Sequence, residues 1–289
     1  MATPGFQRTI SPDMDILLRH IRKTYPRAEE PVLLLDELTL LGGQVHGILG
    51  HSGSGKSTLL NILALLDSPD KQAEAALCYH PDGAALPGYG IGCEMLPFPS
   101  GEDGWRRRHF SFVFQAGYLL DNFTVLDNVL MPLRLNQSVG AEARREAENR
   151  LSRLHIGPGL WNALPRQLSG GEYQRVAVAR SLVHKPSVVF ADEPTGSLDP
   201  KKGEAVMESL IEWKDEEPGN LLILVTHNPE HVQKYCDHVT VLSGGKVVLN
   251  ARKDAVKFHK IRAAMSGEAK KSSQVSRISN FGSDSLPQD

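Results

Sequence analysis

The sequence predicts an α/β fold built on a mainly parallel core sheet. Five short apolar runs are bounded by turn residues, and their apolarity is continuous rather than alternating. That pattern is typical of strands buried on both faces, as in a parallel sheet covered by helices. Helix-length segments separate the runs. The predicted strands are residues 45–49, 110–114, 188–191, 221–225 and 239–242.

The composition is that of an ordinary globular chain. Of the 289 residues, 40% are hydrophobic and 23% charged, which excludes global disorder and a coiled coil. At roughly 150 residues per domain, the length fits two domains, or one domain with subdomains. The formal net charge of −2 gives no overall attraction to nucleic acid or anionic lipid, so no nucleic-acid partner is expected.

No segment is predicted to span a membrane or to act as a secretory signal. The longest uncharged stretch, residues 38–55, contains six glycines and two histidines, whereas a spanning helix needs about 18 or more apolar residues. Residues 1–15 lack the apolar segment of a signal peptide. Cys78, Cys93 and Cys236 lie far apart, which predicts neither a zinc cluster nor a disulfide framework. We therefore expect a cytoplasmic chain that reaches a membrane only through a partner.

Two segments have a distinct local character. Residues 141–154 have an apolar face, and Glu146 lies four residues before Arg150, which predicts a surface helix supported by an ion pair. This helix is interpreted as part of a helical insertion. Residues 68–104 contain six glycines and five prolines without a sustained period, which predicts a loop-rich insertion with short strands.

The end of the chain is predicted to be a tail. Residues 251–277 hold eight Lys or Arg against two Asp or Glu, and a Ser-rich end follows. We expect one folded unit over residues 1–255 and a polar, largely disordered tail over residues 256–289. Contact of the basic stretch with anionic lipid or with a partner is the alternative to a solvated tail.

Residues 50–57, GHSGSGKS, match the Walker A pattern for phosphate binding. A predicted strand precedes them and an apolar helix over residues 58–66 follows, as that pattern requires. Small residues let successive backbone N–H groups turn toward phosphates at a helix N-terminus, while Lys56 adds a charge and Ser57 a hydroxyl for Mg²⁺. A glycine-rich turn that only caps a helix is the weaker alternative. The predicted nucleotide-binding residues are Gly50, Ser52, Gly53, Ser54, Gly55, Lys56, Ser57 and Thr58.

Asp192 and Glu193 follow the apolar run that begins at residue 188, and this arrangement matches a Walker B strand. Ligands collect at the carboxyl ends of strands in open α/β sheets. Asp192 would hold the metal, and Glu193 would orient and polarise an attacking water. Alone, such an acidic pair is more often a helix cap or a solvated loop, but the Walker A pattern elsewhere in the chain favours the catalytic interpretation.

Ser169, Gly170 and Gly171 open a helix that continues to residue 182. Ser169 and Glu172 have the spacing of a capping box. Two consecutive glycines in a first helical turn cost about 1 kcal/mol each against alanine, so their presence needs a reason. Bare N–H groups at a helix start make a second anion site, which suggests that a nucleotide contacts both helix starts.

The order of these motifs resembles that of the ATP-binding cassette (ABC) ATPases, over roughly residues 16–248. The matching segments are Walker A, the signature at Ser169 to Gly171, Walker B, the Ser-Leu-Asp that ends at Asp199, and His227. The resemblance implies a P-loop NTPase with an antiparallel β region and an inserted helical subdomain over residues 116–182. Each motif occurs once, so it implies a single cassette, with ATP and Mg²⁺ as ligands.

Three further residues take roles only through this resemblance. Gln115 falls at the family's Q-loop, which implies that it senses Mg²⁺ and faces a membrane partner. Tyr25 is similar to the aromatic residue that stacks on adenine, and His227 to the histidine that contacts the γ-phosphate. Out of context these would be a polar loop residue, a core or edge aromatic and a satisfied histidine. The resemblance also implies that Asp199 crosses a dimer interface.

The implied function is that of an ATPase subunit whose signature closes on the nucleotide of a second cassette. The partners would be a second copy or a paired cassette, and a permease on a separate chain. The apolar segment 123–131 is the expected permease-docking surface. Lys56, Gln115, Glu193 and His227 would carry catalysis, and Ser57, Gln115 and Asp192 would hold the metal.

Finer similarity, for example in residues 193–199, is to the bacterial lipoprotein-release and macrolide-export group. It implies export or extraction of a lipophilic or peptide substrate at the cytoplasmic face of the inner membrane. The sequence departs from that group in having Glu172 where glutamine is commoner, and in the length of residues 68–104. A soluble ABC-type ATPase is the alternative, although it would need a long coiled coil or two cassettes. A nucleotide kinase or a GTPase is a further alternative, but neither would need the signature at Ser169 to Gly171.

Overall fold

The computed structural model describes residues 14–26, 28–71, 75–81, 88–89, 101–196 and 198–266. The strands are β1 (Met14–Lys23), β2 (Leu33–Leu40), β3 (Val45–Leu49), β4 (Ala76–Pro81), β5 (Gly88–Tyr89), β6 (Phe110–Phe114), β7 (Val188–Asp192), β8 (Leu221–Thr226), β9 (His238–Ser243) and β10 (Lys246–Arg252). The α-helices are α1 (Lys56–Leu63), α2 (Gly101–His109), α3 (Val125–Leu135), α4 (Ala141–Arg153), α5 (Gly170–Leu182), α6 (Pro200–Glu216), α7 (Pro229–Tyr235) and α8 (Phe258–Ser266). Short 3-10 turns occupy Pro158–Leu160, Pro165–Gln167 and Lys253–Ala255.

The described strands form one sheet in the order β5-β4-β1-β2-β10-β9-β3-β8-β7-β6. Strands β9, β3, β8, β7 and β6 run parallel to one another, whereas β2, β1, β4 and β5 form an antiparallel region. Strand β10 joins the two parts, antiparallel to β9 and parallel to β2. The predicted fold class, a mainly parallel core with an antiparallel region, is confirmed, and each of the five predicted strands is present.

Helices cover both faces of the parallel part. Along β7, Val188 and Phe190 pack into one apolar cluster with α1, while Val189 and Ala191 pack into the other with helices α3 to α8. Side chains that alternate between two buried faces explain why these strands have continuous apolar runs.

Helices α3, α4 and α5 pack together beside the sheet. The ion pairs that α4 forms differ from the predicted pair. Arg150 is buried and makes two hydrogen bonds to Glu216, of 2.8 and 2.9 Å, at the end of α6. Glu146 lies instead 3.8 Å from Lys185. The predicted Glu146–Arg150 pair is wrong because Arg150 faces inward, toward an acid on another helix.

The predicted start of the tail is also wrong. Helix α8 begins at Phe258 and buries Ile261, Ala264 and Met265. These apolar residues recur at helical spacing within a stretch rich in Lys and Arg, so one face packs on the core and the other stays solvated. The folded unit therefore extends at least to residue 266, and the rest of the predicted tail lies outside the described residues.

The segment 68–104 is described only in part. Strands β4 and β5 lie within it, and α2 begins at its end; residues 72–74, 82–87 and 90–100 lie outside the described residues. Cys78, on β4, is disulfide-bonded, so the prediction of no disulfide is wrong for this residue. Cys236 is a free, buried thiol.

Candidate functional site

The turn between β3 and α1 forms a backbone cradle. Gly53 and Gly55 have φ of 75° and 99°, in the left-handed region that favours glycine. A Cβ on Gly55 would lie 2.9 Å from the carbonyl oxygen of Val32, so the glycine also permits close packing of the loop. Gly55 caps α1 without a side-chain hydrogen bond, which leaves the first N–H groups of the helix for an anion.

Two polar side chains complete the cradle. The hydroxyl of Ser54 is buried, and no hydrogen-bond partner for it occurs among the described residues. The ammonium group of Lys56 donates to the carbonyl oxygens of Gly50 and His51, each at 2.8 Å, so it is held across the loop. Burial lowers the pKa of Lys56, while Glu193 and Asp192 act in the opposite direction. An unpaired hydroxyl, a lysine and bare N–H groups fit a bound phosphate chain.

The acidic pair emerges where the parallel strands end. Asp192 is the last residue of β7, paired with Phe114 on β6 and with Val225 on β8. Burial and, second, the Glu193 carboxylate raise the pKa of Asp192, whereas Lys56 acts against them. Desolvation and the neighbouring acid both disfavour the charged form of the Asp192 carboxylate. A bound divalent cation would offset both effects, so Asp192 is a good ligand for one.

Glu193 is fixed by the strand next to it. Its backbone lies in the left-handed region, with φ of 48°, and its N–H donates to the carbonyl of Val225 at 2.9 Å. Its Oε1 accepts from the backbone N–H of His227 at 2.8 Å and lies 2.6 Å from His227 Nδ1. A non-glycine residue held at positive φ is unusual and costs energy, which is common at functional sites.

Gln115 borders a cavity of about 600 Å³ that also contacts Asp192, Glu193 and the start of α5 at Gly170. The side chain of Gln115 packs against the turn after Glu193, where a Cβ on Gly196 would lie 2.9 Å from its Nε2. The structure therefore places three predicted catalytic or metal-binding residues around one cavity.

The signature residues stand at an exposed helix start. Ser169 caps α5 and accepts from the N–H of Glu172 at 3.3 Å, while the Glu172 carboxylate accepts from the N–H of Ser169 at 2.8 Å. The predicted capping box is confirmed. A Cβ on Gly170 would meet nothing within 4 Å, whereas one on Gly171 would lie 2.6 Å from Lys202 Cδ.

Asp199 lies close to the signature. It caps α6, accepting from the N–H of Lys202 at 3.1 Å, and its carboxylate also pairs with the Lys202 ammonium group at 2.9 Å. The hydrogen bonds from Lys202 lower the pKa of Asp199. Because the same lysine packs against Gly171, the two loops are neighbours. Ser197, which lies between the acidic pair and Asp199 in the sequence, is outside the described residues.

Three residues of α5 that were not predicted as site residues hold the backbone on either side of Gln115 and after Glu193. Gln174 is buried and its Nε2 donates to the carbonyls of Phe114 and Pro194, each at 3.0 Å. Arg180 donates to the carbonyls of Gly117 and Tyr118, each at 2.6 Å, and Tyr173 accepts from the N–H of Leu119 at 2.9 Å. Tyr173 and Arg180 are seven residues apart and so share a helix face, but this spacing does not identify their partners.

Tyr25 lies beside the phosphate loop. Its hydroxyl is 3.0 Å from an oxygen of Asp67 and 3.5 Å from the hydroxyl of Thr58, in the first turn of α1. The ring is partly buried. This position brings Tyr25 next to the predicted nucleotide-binding residues.

The site also fits Mg²⁺. Asp192 and Gln115 border one cavity, and Ser57 is exposed in the first turn of α1, next to Lys56, which interacts electrostatically with Asp192. Hydroxyl, carboxylate and amide oxygens are the ligand types that Mg²⁺ prefers, usually together with substrate phosphates. When bound, the cation supplies charge neutralisation on the phosphates.

No helix in the described part of the chain is both long enough and apolar enough to span a bilayer.

Comparisons with known proteins agree with this geometry. Residues 33–196 match the ABC transporter family. The chain is 38% identical over 223 residues to the lipoprotein-releasing system ATP-binding protein LolD of Rickettsia conorii, covering 76% of this chain and 91% of that protein. It is also 38% identical over 241 residues to the macrolide export ATP-binding/permease protein MacB of Chlorobium luteolum, covering 82% of this chain but spanning only 33% of that longer protein.

Among solved structures, the chain resembles the ATP-binding cassette MJ0796, a dimer in a post-hydrolysis state bound to ADP and phosphate. The TM-score is 0.69 at 31% identity, over 82% of this chain and 98% of that one. A second dimeric structure of the same cassette gives a TM-score of 0.67 at 33% identity. The family match covers more than half of the chain, and the phosphate cradle and acidic pair lie within it. The chain therefore belongs to the ABC transporter family, as an ATP-binding and ATP-hydrolysing cassette.

Proposed function

We propose that this chain hydrolyses Mg-ATP at the carboxyl edge of β3, β7 and β8, with Glu193 as the base that polarises the attacking water. The observation that carries the proposal is the convergence of Lys56, Asp192, Glu193 and His227 at this edge, where Lys56 interacts electrostatically with both carboxylates and His227 holds one of them. The cradle and Lys56 bind phosphates, and Ser57 and Asp192 hold the cation.

Exchange of Glu193 for glutamine tests the proposal. Glu193→Gln keeps the shape of the side chain and removes the basic carboxylate, so Mg-ATP binding should persist while turnover falls about 10²–10⁴-fold. The matched control is Glu208→Gln, at an exposed position on α6. Near-normal ATPase activity of Glu193→Gln would exclude Glu193 as the base.

The working form is proposed to be a head-to-tail dimer in which Ser169 and Gly170 of one copy contact the nucleotide of the other. Three observations support this. The start of α5 is exposed, open space surrounds Gly170, and Asp199 lies near it on the surface. The dimeric state of the related cassette MJ0796 agrees.

The dimer is proposed to power a permease on a separate chain. The expected docking segment 123–131 needs revision, because Leu126 and Val129 are buried in the packing of α3 against α5. Charged residues there would unfold the subdomain rather than uncouple it. The exposed apolar side chains next to Gln115 are Tyr118, Leu120 and Phe123, and they form the proposed docking surface.

Through this partner the chain would lie at the cytoplasmic face of the inner membrane. The relatives LolD and MacB, named for lipoprotein release and macrolide export, support export or extraction of a lipophilic or peptide substrate. Reconstitution with the permease should raise the ATPase rate, and Phe123→Ser with Tyr118→Ser should remove that stimulation while sparing basal hydrolysis.

A further inference from the structure

The carboxylate of Asp67 joins the loop after α1 to the segment that leaves β1. Its Oδ1 lies 2.5 Å from the ammonium group of Lys23 and accepts from the N–H of Ser68 at 2.8 Å. Its Oδ2 accepts from the hydroxyl of Tyr25 at 3.0 Å. Because both oxygens accept hydrogen bonds, the direction of the carboxylate is fixed.

The backbone around Tyr25 is fixed as well. The N–H of Thr24 donates to Oδ1 of Asp70 at 3.1 Å, and the N–H of Asp70 donates to the carbonyl of Arg22 at 2.8 Å. The ammonium group of Lys23 lies 5.2 Å from the centroid of the Tyr25 ring. The backbone at Tyr25 is therefore set by its neighbours, and the remaining freedom is that of the side chain about χ1 and χ2.

The contacts of the side chain restrict both angles. The Tyr25 hydroxyl donates to Oδ2 of Asp67 at 3.0 Å and lies 3.5 Å from the Thr58 hydroxyl, which fixes χ1. The χ2 axis passes through the hydroxyl oxygen, so the tilt of the ring is restricted instead by the Lys23 ammonium group over its face. Burial acts to raise the pKa of Asp67, but the hydrogen bonds from Lys23 and Tyr25 outweigh it and hold the pKa below its ordinary value. Asp67 is thus an ionised acceptor at neutral pH, which makes the bond from Tyr25 a strong one.

We propose that Asp67 is a positioning residue for adenine recognition. It holds both the Tyr25 hydroxyl and the Lys23 ammonium group over the ring, so that the ring is set in advance to receive the base on its face. The inference rests on the proposed function, in which Tyr25 stacks on adenine beside the phosphate cradle. A ring that is already ordered loses less freedom when ligand binds, and ordering one such side chain accounts for about 3- to 10-fold in affinity. In this proposal Asp67 acts through Tyr25.

Equilibrium binding of two probes to the full chain tests this role. Mg-ATP carries a base, whereas inorganic tripolyphosphate offers the same phosphates without one. We expect Asp67→Ala and Tyr25→Phe each to weaken Mg-ATP binding about 3- to 10-fold and to leave tripolyphosphate binding unchanged. The double variant should bind Mg-ATP no more weakly than Asp67→Ala, because both changes remove the same hydrogen bond. The control Asp36→Ala, at an exposed position on β2, should change neither affinity.

Any other outcome would contradict either the positioning role of Asp67 or the stacking of Tyr25 on adenine. Equal loss of Mg-ATP and tripolyphosphate binding in Asp67→Ala would show that Asp67 supports the phosphate loop, and would overturn the inference. Additive losses in the double variant would do the same. Tyr25→Ala separates the inference from the proposed function. If it leaves Mg-ATP affinity intact, stacking itself is wrong. If it weakens binding while Tyr25→Phe and Asp67→Ala do not, stacking stands and positioning by Asp67 fails.

Discussion

Oε1 of Glu193 accepts the backbone N–H of His227 at 2.8 Å and lies 2.6 Å from its Nδ1. A carboxylate can only accept hydrogen bonds, so Nδ1 must carry the proton. The two residues are 34 positions apart and meet because β7 and β8 are neighbours in the sheet. One side chain thus orients the other at the edge where phosphates are expected.

His227→Ala should lower kcat by about 10²-fold, because Glu193 loses a hydrogen bond that directs its carboxylate. Mg-ATP affinity, measured by calorimetry, should change much less, since the phosphate cradle is untouched. His259→Ala, at an exposed position on α8, is the control. An unchanged kcat would mean that the His227 side chain does not orient Glu193.

Ser169→Arg should block ATP-driven dimerisation. In a Glu193→Gln background, Mg-ATP should convert monomer to dimer by light scattering, and the added arginine should prevent this while monomer affinity for ATP stays largely intact. Ser169→Thr, which keeps a capping hydroxyl, should still dimerise. Loss of ATP affinity as severe as in Lys56→Ala, with dimerisation unaffected, would place the signature in the same copy as its nucleotide.

Gln174→Leu should slow hydrolysis without weakening ATP binding. Leucine has a similar volume but leaves the carbonyls of Phe114 and Pro194 without their donor, next to Gln115 and Glu193. We expect at least a 10-fold loss of kcat, in line with two lost hydrogen bonds of about 1 kcal/mol each. Gln233→Leu, exposed on α7, should have no effect. Equal activity of the two variants would refute the positioning role of Gln174.

Glu216→Leu should destabilise the chain more than Arg150→Leu does. Arg150 has a side-chain exposure of 5% and Glu216 one of 28%, so removal of the acid leaves a buried, unpaired guanidinium. The cost should approach about 3 kcal/mol in urea unfolding, and the double leucine variant should recover part of it. Arg144→Leu, which breaks an exposed pair with Glu148, should cost under about 1 kcal/mol. Equal effects of Glu216→Leu and Arg144→Leu would contradict this account.

Stability should fall below about pH 6.5 because of His46. The ring is buried, its Nε2 lies 2.9 Å from the Thr240 hydroxyl, and it stacks on His238 at 4.7 Å. Burial and, second, His238 lower the pKa of His46 well below its ordinary value. The unfolded chain therefore binds a proton at His46 that the folded chain does not bind. The free energy of unfolding that this difference contributes at neutral pH is lost as the pH falls.

The loss attributable to His46 should approach about 1.4 kcal/mol per pH unit. Unfolding at pH 7 and pH 5 measures it. His46→Leu should reduce the pH dependence, whereas His259→Gln, on the exposed face of α8, should not. A pH dependence unchanged in His46→Leu would assign the effect to other groups.

How much was predictable depends on whether a residue's partner lies near it in the sequence. The strands of the parallel core were predicted because burial on both faces makes them apolar throughout. Strand β2 was not, since its exposed and buried residues mix along its length. The capping box at Ser169 is local and was predicted, but the partner of Arg150 lies 66 residues away, on a helix that only the fold brings near.

The same limit applies to the site. The residue types of Walker A and Walker B indicated phosphate and metal chemistry, and the structure places Lys56 near both carboxylates. The hydrogen bonds between Glu193 and His227, and between Tyr25 and Asp67, could be identified only from the three-dimensional structure. In the sequence, several other acidic residues could equally have been the partner of His227 or of Tyr25. The docking role expected of Leu126 and Val129 was wrong because the sequence does not distinguish apolar residues that face a core from those that face a partner.

The position of β3 in the sheet determines when the nucleotide site can form during synthesis. Its neighbours β8 and β9 begin at Leu221 and His238, and the N–H of Val45 donates to Asp237, 192 residues further along the chain. A nascent chain that has already exposed the phosphate loop at the ribosome therefore has no strand to pair with β3 until β8, about 170 residues after that loop, has emerged. ATP stabilises only a chain that can bind it, so the nucleotide cannot assist folding before that late step.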